Sequence, residues 1–125
     1  MVAPTIMRTG FVYRSGSRQP RAMTPRLEKD VCAVPGKAGL SAFSTLENAI
    51  DPGDWCQKID VAKLAAPIAA YLEADGHVGI APIKEDGIID VEKLTEWASS
   101  RGNQPPHELT NVVLGAIVDT IQRPL

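Results

Sequence analysis

The sequence predicts one α+β domain spanning residues 1–125, with short mixed or antiparallel strands and several helices. Three observations predict it. A chain of 125 residues with 44% hydrophobic content suits a single core. Ten prolines and ten glycines divide it into many short elements. Finally, strand-like runs near 10–14, 39–43 and 77–82 sit beside helix-period stripes at 61–72, 91–98 and 109–121.

Residues 1–9 read as a loose lead-in. Gly10-Phe11-Val12-Tyr13-Arg14 is a strand, dense in aromatic and β-branched residues, with Phe11 and Tyr13 on one face and Val12 and Arg14 on the other. Ser15 to Pro35 is a long irregular segment, because Pro20, Pro25 and Pro35 each remove a backbone donor. Loops of this length in a compact domain are usually functional or disordered, and Arg14, Arg18, Arg21 and Arg26 favour a function. Gly39–Phe43 is a second strand. Ser44 or Thr45 caps a short helix through Ala49. Asp51-Pro52-Gly53-Asp54 is a turn, and the flanking Trp55 and Ile59 are expected in the core.

Asp60 is an N-cap candidate for Val61, Leu64, Ile68 and Leu72, which share one helical face; Pro67 kinks or splits that helix. Asp75-Gly76 stops it. His77-Val78-Gly79-Ile80-Ala81-Pro82 is a third strand, with His77, Gly79 and Ala81 on one face, and Glu85-Asp86-Gly87 is a turn. Asp90 caps a helix with the stripe Val91, Leu94, Trp97 and Ala98, closed by Arg101-Gly102. After Pro105-Pro106 a last helix carries Leu109, Val112, Val113, Ala116, Ile117 and Ile121.

Formal net charge is −2, which gives no reason to expect nucleic-acid or membrane binding. The charge is uneven: residues 1–30 carry +4, leaving −6 for the rest, and a cationic first segment suits an anionic ligand. Cys32 and Cys56 match neither a C-x-x-C motif nor a zinc site and read as two buried or idle reduced thiols, with a single disulfide as the alternative. No apolar run is long enough to span a bilayer and no secretory signal is present, so the expectation is a cytoplasmic protein, with export by a signal-independent route left open. The short length and the Met1 start point to a free protein.

His77 is the best available proton shuttle, since imidazole titrates near neutrality and this one starts a strand; the alternative is a strand-end ring bonded to backbone. His107 reads as surface. Gly39-Leu40-Ser41-Ala42-Phe43 lacks the second glycine of a nucleophile elbow, which disfavours a serine hydrolase. No Walker A loop and no G-x-G-x-x-G occurs. Glu92 and Glu96 lie at helical spacing on a solvated face. Three residues remain: Arg14, whose planar fork suits a pyrophosphate; Ser41, a hydroxyl on a neighbouring strand that suits a ribose; and His77. Tyr13 or Phe43 suits stacking on a flat ring, with core packing as the alternative for both.

Tyr13-Arg14, then Gly39-Leu40-Ser41-Ala42-Phe43, then His77-Val78-Gly79-Ile80-Ala81-Pro82 ahead of a terminal helix resembles small bacterial toxins of the type VI secretion effector kind. The resemblance spans most of the chain and implies an ADP-ribosyltransferase-like fold, with NAD as substrate. It implies that Arg14 binds the NAD phosphates, Ser41 organises the nicotinamide ribose, and His77 positions the ribose or the acceptor. It also implies an antitoxin or immunity partner covering the site and an unknown intracellular target. The chain departs from the better-known transferases in having no Glu-x-Glu or Gln-x-Glu motif. Two other readings stand beside this one: a non-catalytic binding module such as an antitoxin, immunity or adaptor protein, and a metal-independent nuclease toxin using His77 as acid/base.

Overall fold

The computed structural model describes residues 5–24, 39–73, 76–99 and 108–125. Among them, seven strands form one antiparallel sheet: β1 (Thr5–Met7), β2 (Phe11–Ser15), β3 (Leu40–Phe43), β4 (Trp55–Asp60), β5 (Ile68–Leu72), β6 (His77–Pro82) and β7 (Ile117–Gln122). Their spatial order is β1-β5-β6-β3-β2-β4-β7. The helices are α1 (Leu46–Ala49), α2 (Val91–Ser99) and α3 (Glu108–Ala116), with 3-10 turns at Pro20–Met23 and Val61–Lys63. The described residues therefore form a single α+β domain. None of its helices is long and apolar enough to cross a membrane.

Strand alternation sorts the sheet into two faces. The cross-strand pairs Val12–Ile59, Leu40–Ile80, Ala42–Val78 and Ala70–Ile80 put one set of apolar residues on a common face. These side chains are fully buried and form one core with Met23, Leu94, Trp97, Leu109 and Val113 from the turn and from α2 and α3. Thr110 fastens α3 to the chain after β2, its hydroxyl donating to the Met23 carbonyl at 2.9 Å. The helix caps follow local chemistry: Thr45 Oγ1 accepts from Asn48 N–H at 3.3 Å, and Asp90 Oδ1 accepts from Lys93 N–H at 3.1 Å.

Five expectations are corrected. Thr5–Met7 is not a loose lead-in but an edge strand paired with β5. The helix expected over 61–72 is a 3-10 turn capped by Asp60, then β5, because Ile68–Leu72 bonds to strands on both sides and Pro67 cannot supply a helical amide. The last helix stops at Ala116; Ile117 and Ile121 belong to β7, which pairs with β4. Trp55 is 53% exposed rather than in the core, because it begins β4 opposite Gln122 of the edge strand β7. In α2, Leu94, Trp97 and Ala98 are buried as expected, while Val91 is exposed. Cys32, Arg26, Pro25, Pro35, Asp75, Arg101-Gly102, Pro105-Pro106 and His107 lie outside the described residues.

Candidate functional site

The second face of the sheet carries the polar constellation. Tyr13 registers against Phe43, and Phe43 against His77. Glu73 follows β5 directly, and its N–H donates to the His77 carbonyl at 2.9 Å, closing the β5–β6 hairpin. Those contacts make one cross-strand row: Glu73, His77, Phe43, Tyr13. The adjacent row is Tyr71, Gly79, Ser41, set by the pairs Tyr71–Gly79 and Ser41–Gly79.

Two glycines are required by this packing. A Cβ on Gly79 would lie 2.3 Å from Cζ of Tyr71, so the bare backbone there lets the fully buried phenol ring lie over β6 beside Ser41. Gly39, just ahead of β3, has φ +115°, and a Cβ there would stand 2.6 Å from the Ile80 carbonyl oxygen. That approach seats β3 against β6 and fixes the position of Ser41.

Ser41 Oγ lies 2.5 Å from His77 Nε2. The other ring nitrogen, Nδ1, is in hydrogen-bond contact with Glu73 Oε2. A carboxylate has only acceptors, so a neutral His77 carries its proton on Nδ1 and turns the lone pair of Nε2 toward the Ser41 hydroxyl. This is the hydroxyl–base–carboxylate arrangement that activates a hydroxyl. The His77 side chain is 32% exposed and that of Glu73 only 10%. Phe43 meets the His77 ring edge-on, centroids 5.1 Å apart at 67°, which holds the imidazole plane. The second carboxylate oxygen, Glu73 Oε1, is buried and has no hydrogen-bond partner among the described residues. A buried unpaired carboxylate oxygen is costly to fold around.

The sequence-predicted residues divide. Ser41, His77, Phe43 and Tyr13 share this face, with Tyr13 and Phe43 half-buried. Arg14 does not join them: alternation places it with Val12 on the helix-covered side, opposite the buried Gln57. Its Nε and Nη2 donate to the Ala22 carbonyl at 3.2 and 2.8 Å, and its Nη1 donates to the Ser41 carbonyl at 2.6 Å. Arg14 thus clamps the backbone beneath Ser41 to the 3-10 turn, instead of standing free as a phosphate ligand.

Glu73 and Tyr71 were missed. Glu73-x-x-x-His77 was a visible signal, a carboxylate four residues before the histidine, and a hairpin reading of 68–82 brings the two together; the helical reading of 61–72 hid it. Among the described residues no group of three His, Cys, Asp or Glu side chains is placed to hold a metal. No protein-family model, no curated protein and no solved structure matches the chain.

Proposed function

We propose that this chain is an enzymatic bacterial toxin of the ADP-ribosyltransferase-like kind, using NAD to modify an intracellular target and held in check by a cognate antitoxin or immunity protein. The observation that carries the reading is the Ser41–His77–Glu73 chain on a face that also offers the Tyr13 and Phe43 rings. In this reading Ser41 orients the nicotinamide ribose, and Tyr13 and Phe43 pack on the nicotinamide. The bond from the anomeric carbon to nicotinamide breaks, its electron pair leaving with nicotinamide. A target nucleophile bonds to that carbon and gives its proton to His77. The transition state is cation-like, and Glu73 acts on it through the His77 ring, offsetting the charge that the imidazole gains with the proton. Arg14 is a positioning residue that acts through the Ser41 backbone.

One observation favours a second reading. The 2.5 Å contact between Ser41 and a carboxylate-backed histidine also suits direct nucleophilic attack by Ser41, as in a hydrolase. The deciding experiment is controlled expression in bacteria of wild type, Ser41→Ala and Glu73→Gln, following growth and cellular NAD, with a fluorophosphonate reagent applied to the purified protein. Growth arrest with NAD loss in wild type alone supports the first reading. Covalent labelling of Ser41 with NAD untouched supports the second. A harmless, folded wild type that consumes nothing overturns both and leaves the non-catalytic binding module.

A further inference from the structure

A cleft of about 590 Å³ opens where the end of β2 meets the start of β4 and the edge strand β7, lined by Ser15, Arg18, Ile50, Asp54, Trp55 and Thr120 among others. Its volume falls within the range of small-molecule sites. At its base is Gln57, only 2% exposed, whose side chain is committed on both ends. Gln57 Nε2 donates to the Gly16 carbonyl at 2.9 Å. Gln57 Oε1 accepts from Thr120 Oγ1 at 2.7 Å and from Arg18 Nε at 3.2 Å. The buried amide therefore fixes the stem of the Arg18 guanidinium and leaves its terminal nitrogens with no partner among the described residues.

Trp55 stands in the same cleft with 53% of its surface exposed. An exposed indole and an oriented guanidinium thus line one cleft. It matches a ligand with a flat ring and an anionic group. Asp54 also lines the cleft, and its carboxylate has no partner among the described residues. A carboxylate only accepts hydrogen bonds, so it suits ribose hydroxyls or an exocyclic amine and confines a phosphate to the Arg18 side.

We infer that this cleft binds a nucleotide, with the base against Trp55, the phosphate on Arg18 and a sugar or amine donor on Asp54. The site is separate from the Ser41 face, and the inference stands whether or not that face is catalytic. Base stacking on an aromatic side chain and a charge-assisted phosphate contact each contribute on the order of tenfold or more in affinity.

The test is titration of the full chain with adenosine monophosphate, adenosine and inorganic phosphate, read by calorimetry and by tryptophan fluorescence. The expected result is saturable binding of adenosine monophosphate with quenching, and weaker binding of adenosine. Trp55→Phe is expected to abolish the quench, since the other tryptophan, Trp97, is buried in the core. Arg18→Gln is expected to weaken the monophosphate by about tenfold while leaving adenosine unchanged. Both residues are exposed, so both variants are expected to fold. Saturable binding retained in Ser41→Ala separates this cleft from the other face. No saturable binding below about 10 mM, a loss range well beyond ordinary site affinities, overturns the inference. So does binding unchanged in both Trp55→Phe and Arg18→Gln, or binding lost in Ser41→Ala.

Discussion

The Ser41 hydroxyl is within 2.5 Å of His77 Nε2 although the two residues do not face one another across the ladder: Ser41 registers with Gly79, and His77 with Phe43. The contact is diagonal across the β3–β6 pair, while the space over Gly79 is taken by the Tyr71 ring. The imidazole is held by the Phe43 ring and by Glu73.

Activity should follow that chain. Ser41→Ala, His77→Ala and Glu73→Gln are each expected to reduce turnover by about a hundredfold or more, on the scale of acid–base and electrostatic contributions. The double variant Ser41→Ala/Glu73→Gln should lose little more than either alone, because the groups act as a unit. Steady-state kinetics on folded variants, verified by circular dichroism, measures this. Additive losses would show that Glu73 acts independently of the Ser41–His77 pair.

Arg14 should behave as a brace. Arg14→Ala removes charge-assisted bonds to two partly buried carbonyls and is expected to destabilise the chain by about 2 kcal/mol. Arg14→Lys should recover only a small part of it, since an ammonium cannot span both carbonyls as the planar fork does. Denaturant unfolding measures the loss. A variant as stable as wild type with strongly raised KM for NAD would instead return Arg14 to direct ligand contact.

Gly79→Ala places a methyl group against the Tyr71 ring and is expected to cost about 3 kcal/mol. Combining it with Tyr71→Leu should cost less than the sum of the two single changes, because the clash partner is gone. A double-mutant cycle by thermal unfolding checks this, and strict additivity would mean that the ring and β6 are not in contact.

Cys56 is fully buried, and burial raises its thiol above the ordinary value of 9.0. The folded chain therefore keeps a proton that the unfolded chain releases above that value. Stability from this group is intact below pH 9.0 and declines as pH climbs past it. In a Cys32→Ser background, native Cys56 should react with a thiol reagent only at the rate of unfolding. Rapid stoichiometric labelling at neutral pH would show an open path to the sulfur.

Sequence reading captured much of this architecture where a signal is local. The alternation in Phe11–Arg14, Leu40–Phe43 and His77–Pro82 set the faces of three strands, Thr45 and Asp90 announced their caps, and Ser41 and His77 stood out by residue type. What it missed was decided at a distance. Ile68–Leu72 and Ile117–Gln122 carry apolar spacings compatible with a helix, and they become strands because β6 and β4 offer unpaired backbone groups to which they bond. The same long-range pairing decides the site. Glu73 reaches His77 only in the β5–β6 hairpin, and while alternation already put Arg14 on Val12's face, only the packing of α2 and α3 made that face the covered one. Side-chain chemistry and local periodicity are properties of the chain, whereas which groups meet is set by strand register, which depends on contacts between residues far apart in sequence.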